Sequence, residues 1–156
     1  HAGVEINLHV PALLPEDYVP DVHLRLILYK RIANAASGEE LRELQVELID
    51  RFGLLPPPAR NHLRIAAIKR EAVRLGIEKI DVADRGGYLV FGQKTAVDPL
   101  TLVDLVRNEG EIYRMRDGNR LSFRLDLSDP ENRFAQIEKL LDILATESVQ
   151  TEVAAG

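Results

Sequence analysis

The spacing of the apolar residues changes at Gly76, and this change constrains the fold of the chain strongly. Between Val22 and Gly76, apolar residues recur every three or four positions, as they do along one side of an α-helix. After Gly76, most segments alternate apolar with polar residues, which is typical of half-buried strands. A chain that forms mostly helices first and mostly strands afterwards is expected to fold as an α+β structure.

Three helices are predicted in the first half. Asp21 precedes the first helix, whose two neighbouring apolar stripes predict burial on more than one side. Ser37 and Glu40 form a capping box for the second helix, and Gly53 supplies its left-handed stop. The predicted helical segments are Val22–Ala36, the residues after Ser37 up to Phe52, and Ala59–Leu75.

The strands are bounded by turn signals. Asp117-Gly118 is the strongest hairpin signal, and Arg85-Gly86-Gly87 predicts a second hairpin. Two more helices begin at Asp98-Pro99 and at a capping box over Ser128–Glu131. The predicted strands are Val4–Val10, Ile77–Asp84, Tyr88–Gly92, Ile112–Arg116 and Arg120–Asp126.

These elements give the order β-ααα-ββ-α-ββ-α, with a mainly antiparallel sheet packed against helices. We expect a single α+β domain over residues 1–144 and a flexible tail over residues 145–156. Division into a helical half and a sheet half near Leu75 is the alternative. Because the first residue is His1 rather than Met, we also expect the sequence to be a piece of a longer protein.

Composition excludes several classes of protein. The 156 residues contain no cysteine, so disulfides, zinc–thiolate sites and cysteine nucleophiles are excluded. No apolar run approaches the roughly 18 residues that a membrane helix needs. A sequence without cysteine is compatible with a reducing cytosol, and we expect a cytoplasmic location. The net charge of −5 argues against a dedicated nucleic-acid module, since such modules are usually basic.

No pattern in the sequence predicts chemistry. Residues Gly87–Thr95 resemble a phosphate loop only superficially, because Gln93 separates the second glycine from Lys94. The four histidines lack the spacing of a metal site, and no nucleophile elbow is present. We therefore expect no catalytic site, no cofactor and no metal.

The second helix carries an acidic face. Glu40, Glu43, Glu47 and Asp50 are spaced three and four residues apart, and Arg51 follows Glu47 by one turn. Like charges in a row weaken a helix slightly, but they suit contact with a basic partner. The alternative is an ordinary solvated helix face.

The third helix is basic. Arg60 with Arg64, and Arg70 with Arg74, lie one turn apart, a spacing compatible with contact to phosphates. The alternative is a solvated face that pairs with the acidic helix before it. No aromatic residue interleaves with these arginines, so base stacking has no support here.

The first half also contains residues that resemble a known family. They are Leu13-Leu14-Pro15-Glu16-Asp17-Tyr18, Pro20-Asp21, Arg25, Tyr29-Lys30-Arg31-Ile32-Ala33, Glu47-Leu48-Ile49-Asp50-Arg51-Phe52-Gly53 and Pro56. In order and spacing they resemble the C-terminal domain of the bacterial transcription-repair coupling factors, the Mfd family. The resemblance extends from about Val4 to Leu144.

The resemblance implies a non-catalytic domain within an ATP-driven DNA translocase of transcription-coupled nucleotide-excision repair. Such a domain would dock on the N-terminal UvrB-like module of the same protein, mask the UvrA-binding surface and restrain the motor until RNA polymerase is engaged. The contact residues would map onto Glu47, Asp50 and Arg51. On this interpretation we expect no membrane association and no direct contact with DNA. A nucleic-acid-binding module that uses Arg60–Arg74 is the alternative function.

Overall fold

The computed structural model of the chain describes residues 3–146 and contains five helices and five strands. The predicted order of elements and the α+β class are confirmed. The bounds are β1 Glu5–Asn7, α1 Val22–Ala33, α2 Gly38–Phe52, α3 Pro57–Leu75, β2 Ile77–Ala83, β3 Gly86–Phe91, α4 Pro99–Asn108, β4 Tyr113–Arg116, β5 Arg120–Arg124 and α5 Pro130–Leu144. Most of the predicted tail lies outside the described residues.

The five strands form one mixed sheet in the order β1-β2-β3-β5-β4. The β2–β3, β3–β5 and β4–β5 pairs are antiparallel, which agrees with the mainly antiparallel sheet predicted. β1 and β2 are parallel, as expected for strands joined by a long helical connection. β1 is shorter than predicted, because His9 adopts a positive φ of 54°.

The described chain forms two compact units. The helical unit is Val10–Ile68 and contains α1, α2 and the first part of α3. The sheet unit comprises residues 3–9 and 69–146. Each unit has its own buried apolar residues, and the single domain over residues 1–144 stays a prediction.

The helical unit is built around leucines of α2. Leu41, Leu44 and Leu48 are buried, as their spacing predicts, and they belong to one cluster with Leu28 and Ile32 of α1. The Ser37 hydroxyl accepts a hydrogen bond from the Glu40 amide, and the Glu40 carboxylate accepts one from the Ala36 amide. The predicted capping box is therefore present in both directions.

Helix α1 differs from its prediction in length and in burial. The Asp21 carboxylate caps its first turn as expected, but the helix ends at Ala33 rather than Ala36. Val22 and Leu26 are more than half exposed, so only one of the two apolar stripes is buried within the described chain. The prediction of burial on more than one side was wrong because helical spacing shows where apolar residues lie, not how many neighbours cover them.

A buried arginine organises one end of the sheet unit. Arg133 of α5 is 3% exposed, and its guanidinium donates hydrogen bonds to the carbonyl oxygens of Leu8 and Leu127 and to the Asp84 carboxylate. A buried charge is tolerated only when it is paired and hydrogen-bonded, and these contacts meet that requirement. Arg133 therefore links the segment after β1, the β2–β3 hairpin and the start of α5.

Two predicted turns are placed differently in the structure. Helix α5 is capped by Asp129, whose carboxylate accepts a hydrogen bond from the Glu131 amide, whereas Ser128 bonds to Asp126. The capping box predicted at Ser128 was therefore wrong.

In the first hairpin Gly87 lies inside β3, where an added Cβ would clash with the Asp81 carbonyl oxygen. Close approach of two backbones, rather than turn geometry, requires glycine there.

Candidate docking surface on helix α2

Glu47 lies at the centre of a three-residue ion-pair group. Its carboxylate accepts two hydrogen bonds from the Arg31 guanidinium of α1, at 2.7 and 2.9 Å. A third bond, at 3.3 Å, comes from Arg51, one turn later on α2. Bidentate arginine–carboxylate pairs fix geometry as well as charge, so this pair sets how α1 and α2 meet.

The same contacts change the ionisation of Glu47. The hydrogen bonds from Arg31 lower the pKa of the Glu47 carboxyl to about 2 from its usual 4.5, and the charges of Arg31 and Arg51 act in the same direction. The carboxylate therefore stays ionised well below neutral pH. Because Arg31 and Arg51 already neutralise its charge, the Glu47 carboxylate attracts an external basic partner less strongly.

The C-terminal turn of α2 is held by two aromatic residues. The Tyr18 hydroxyl donates to the carbonyl oxygens of Leu48 and Gly53, at 3.2 and 2.8 Å. The Tyr18 ring lies 5.8 Å from the ring of Phe52, and the Arg51 guanidinium lies 5.1 Å from the centre of the Phe52 ring. Arg51 is thus held by the Glu47 carboxylate and by the Phe52 ring, while its side chain remains 45% exposed.

Asp50 has a different environment from Glu47. Its side chain is exposed, and no basic side chain within residues 3–146 pairs with it. One turn earlier, Val46 is 58% exposed. Positions 43, 46 and 50 lie on the same side of a helix, so an exposed apolar residue lies between two carboxylates there.

The predicted acidic face therefore divides into two parts. Glu40 and Glu47 make intramolecular contacts, whereas Glu43 and Asp50 flank Val46 on the outside. A depression of about 370 Å³ lies beside Glu40 and Glu47 and extends to Glu43. It is lined by Arg31, Ser37, Glu39, Glu40, Glu43, Leu44 and Glu47.

Three residues were predicted to contact a partner. The structure places Asp50 and Arg51 at the surface, whereas the Glu47 carboxylate is bound by Arg31 and Arg51 of the same chain. Sequence reasoning missed the role of Arg31, which lies 16 positions from Glu47 in the chain. Neither residue type nor spacing reveals such a pair, because the crossing of α1 and α2 brings the two side chains together.

Many residues that carry the family resemblance hold the helical unit together. The Tyr29 hydroxyl accepts a hydrogen bond from the Leu14 amide at 2.7 Å. The Arg25 guanidinium donates to the Val19 carbonyl oxygen, also at 2.7 Å. Together with Tyr18, these side chains fasten the proline-rich connector onto the helices. The residues that carry the resemblance therefore reflect the packing of the helical unit more than a binding site.

The arginines of the alternative nucleic-acid face are partly engaged within the chain. Arg74 hydrogen-bonds to Glu71 of the same helix, and Arg64 and Arg70 also have intramolecular interactions. Arg60 is exposed. Arg60 and Arg64 belong to the helical unit, whereas Arg70 and Arg74 belong to the sheet unit. Phosphate binding by this helix stays a prediction.

The described part of the chain offers no cluster of metal ligands and no membrane span. Within residues 3–146, no three His, Asp or Glu side chains gather in a way that would hold a metal ion. None of the helices in that range is long and apolar enough to cross a membrane.

A family model and curated relatives are similar to this chain over most of its length. A family model described as "TRCF domain" matches residues 8–102. The chain is 44% identical over 137 residues to the transcription-repair-coupling factor of Escherichia coli K12, and 44% identical over 142 residues to that of Haemophilus influenzae. These alignments cover 88% and 91% of the chain but only 12% of each relative.

A solved structure described as the C-terminal domain of transcription-repair coupling factor is also similar. It superposes with a TM-score of 0.71, and the alignment covers 94% of this chain and 97% of the other. The sequence identity between the two is 23%, so this likeness shows the fold.

Proposed function

Because the chain belongs to the TRCF domain family, we propose that it is a non-catalytic regulatory domain of a bacterial transcription-repair coupling factor. In this proposal the parent protein is a cytoplasmic, ATP-driven DNA translocase that couples stalled RNA polymerase to nucleotide-excision repair. The domain docks on the N-terminal UvrB-like module of the same polypeptide and masks the surface that binds UvrA. Release of this contact is a two-state change that engagement of polymerase favours.

The observation that carries the docking proposal is the free carboxylate of Asp50. It lies on a rigid helix, is exposed and has no intramolecular partner within the described chain. Arg51, held by Glu47 and by the Phe52 ring, presents its remaining guanidinium donors beside it. A basic group and a carboxylate on the partner would complete this pair of charges. Contacts of this type supply specificity and respond to salt, as a reversible interdomain contact requires.

Glu47 has a positioning role in this proposal. Its carboxylate is already bound by Arg31 and Arg51, so it orients Arg51 and ties α2 to α1. Removing Glu47 would weaken docking through the position of Arg51 rather than through loss of a direct contact. Asp50 is therefore the residue whose substitution should affect docking without affecting the fold.

The test is binding of this chain to the separately expressed N-terminal module of its parent, measured by calorimetry at about 50 and about 200 mM salt. Asp50→Arg is expected to abolish binding, because it places a cation against a basic partner surface. Asp142→Arg is the matched control, since it makes the same charge change at an exposed position on α5. Binding by the control variant is expected to equal that of the unmodified chain.

A second measurement follows UvrA in the full-length parent. Asp50→Arg is expected to expose the masked surface and to strengthen UvrA binding, while Asp142→Arg does not. If neither variant changes UvrA binding, and the N-terminal module does not bind the chain at either salt concentration, the docking proposal is refuted. If the module binds Asp50→Arg normally, the domain docks through another surface.

A further inference from the structure

One face of the sheet carries a concentration of basic side chains that the docking proposal does not use. Residues of neighbouring strands that pair in register lie on the same face of a sheet. Leu89 pairs with Leu121, and both are buried, so the positions next to them in each strand point away from the core. The register gives two outward rows across the sheet: Glu5, Lys79, Val90, Arg120 and Arg116; and Asn7, Asp81, Tyr88, Ser122 and Arg114.

The charges on these rows are unevenly distributed. The two acidic residues, Glu5 and Asp81, lie on β1 and β2, where Glu5 is 3.7 Å from Lys79 and Asp81 is 2.8 Å from the imidazole of His9. The half formed by β4 and β5 has no acidic residue at an outward position. It carries four arginines, which are Arg114, Arg116, Arg120 and Arg124. Such a cluster stands out in a chain with a net charge of −5.

None of these four guanidiniums pairs with a carboxylate within residues 3–146. Moreover, Arg116 and Arg120 are directly opposite one another in the β4–β5 register. Like charges at directly opposed positions destabilise a sheet. The arrangement therefore costs stability unless an anion is bound between the two side chains.

An aromatic residue lies beside this cluster. The Arg120 guanidinium carbon is 4.2 Å from the centre of the Tyr88 ring, and the Lys79 ammonium nitrogen is 5.7 Å from it. Tyr88 pairs with Ser122, so it occupies the middle strand of the sheet, next to the arginine-rich half. A sheet face that combines arginines with an aromatic ring offers both phosphate contacts and a planar surface on which bases stack.

We propose that this face, the arginine sheet face of Tyr88, Arg114, Arg116, Arg120 and Arg124, binds single-stranded nucleic acid. The four arginines contact backbone phosphates without reading sequence. The Tyr88–Arg120 pair receives an unstacked base, since both an aromatic ring and a guanidinium plane accept base stacking. This proposal departs from the expectation of no direct contact with DNA, which follows from the family resemblance. It also differs from the argument that the net charge of −5 disfavours a nucleic-acid module, because the arginines are concentrated on one face.

Two simpler roles for the four arginines lead to different expectations. Charged residues on an edge strand such as β4 also prevent sheets from pairing with one another, and that role needs no ligand. An acidic protein surface would satisfy the four charges but would not need Tyr88. The aromatic ring in the middle of the sheet favours nucleic acid over both, and substitution of Tyr88 distinguishes the three roles.

The test measures fluorescence anisotropy of a labelled oligothymidylate titrated with this chain between about 50 and about 200 mM salt. Four phosphate contacts predict a slope of about −2.8 in log affinity against log salt, which is about a 50-fold loss of affinity over this range. The variant Arg114→Gln/Arg116→Gln is expected to halve the slope, leaving about a sevenfold loss. The matched control, Arg42→Gln/Arg107→Gln, removes two exposed arginines elsewhere and should keep the full slope.

Tyr88 provides the second readout. Tyr88→Leu is expected to weaken oligonucleotide binding by about fivefold or more, whereas Tyr88→Phe retains it, because stacking needs the ring and not the hydroxyl. Thermal unfolding of Arg114→Gln/Arg116→Gln adds a check on folding. Removal of one of two opposed like charges should leave the midpoint unchanged or raise it, so weaker binding by this variant would not reflect misfolding.

Several results would overturn the proposal. They are no binding at about 50 mM salt and millimolar protein, equal loss of affinity in the control variant, or equal affinity for Tyr88→Leu and the unmodified chain. Full competition by polyglutamate at matched charge would assign the face to an acidic protein instead. These outcomes are independent of Asp50, since the docking test uses a different unit of the chain and a different ligand.

Discussion

The Arg31–Glu47 pair gives the sharpest prediction for stability. Replacing Glu47 with Gln removes the charge while keeping the shape of the side chain. The pKa of Glu47 falls from 4.5 to about 2 in the folded chain, which sets a ceiling of about 3.5 kcal/mol at about 1.4 kcal/mol per unit of pKa. Because 35% of the side chain is exposed, solvent screens the pair, and exposed ion pairs contribute about 0.2–1 kcal/mol. The bidentate geometry places this pair near the upper limit, so we expect a loss of about 1 kcal/mol.

The pH dependence of this loss has a definite sign. A carboxyl whose pKa is lower in the folded chain than in the unfolded chain stabilises the fold when it is ionised in both. The contribution of Glu47 is therefore complete above its unfolded pKa of 4.5 and is lost as the pH falls toward about 2. Urea unfolding of the unmodified chain and of Glu47→Gln, from pH 7 to about pH 3, measures this difference.

Substitution of Arg31 tests whether the loss of stability comes from the Arg31–Glu47 pair. The Arg31→Gln variant should lose a similar amount at pH 7, and the double variant should lose little more than either single one, because the two residues act as a pair. A difference between the unmodified chain and Glu47→Gln that stays constant from pH 7 to pH 3 would refute the argument. Additive losses in the double variant would also contradict it.

The other predictions concern single side chains, and urea unfolding at pH 7 measures all of them. Leu48→Ala should lower the free energy of unfolding by about 2–5 kcal/mol, because Leu48 is 1% exposed in the core of the helical unit. A loss below about 1 kcal/mol would mean that neighbouring side chains fill the cavity. Tyr18→Phe should cost about 1 kcal/mol through two lost hydrogen bonds, and equal stability would show that water replaces them. Arg133→Met should cost about 3 kcal/mol by leaving carbonyl oxygens unpaired, unlike Arg107→Met, the exposed control. Asp50→Ala should change stability by less than about 0.5 kcal/mol, and a larger loss would indicate a structural partner for Asp50.

Local signals in the sequence predicted most of the fold. The capping box at Ser37 and Glu40 and the Asp117-Gly118 turn act over a few residues, so their geometry follows from neighbours in the chain. The wrong prediction at the start of α5 lies where a local signal has a competitor. Ser128 and Asp129 both fit a cap, but the Ser128 hydroxyl donates to the Asp126 carboxylate and Asp129 caps the helix.

The candidate docking surface was predictable in part. Its acidic character follows from the spacing of Glu43, Glu47 and Asp50 on one helix. Spacing alone does not show that Glu47 is bound within the chain whereas Asp50 has no basic partner among residues 3–146, because that difference depends on Arg31 of α1. A sequence pattern thus located the face, and the packing of α1 on α2 selected the residue.

The sequence by itself determined the class of fold, the order of its ten elements and the family, because helical and strand periodicity and the residues of the connector are local properties. Tertiary structure alone decided which charges remain available. Strand register gathered Tyr88 and four arginines from three strands onto one face, and the crossing of two helices paired Glu47 with Arg31. Electrostatic interactions depend on distance in space, and distance in space between residues far apart in the chain is set only when the chain folds.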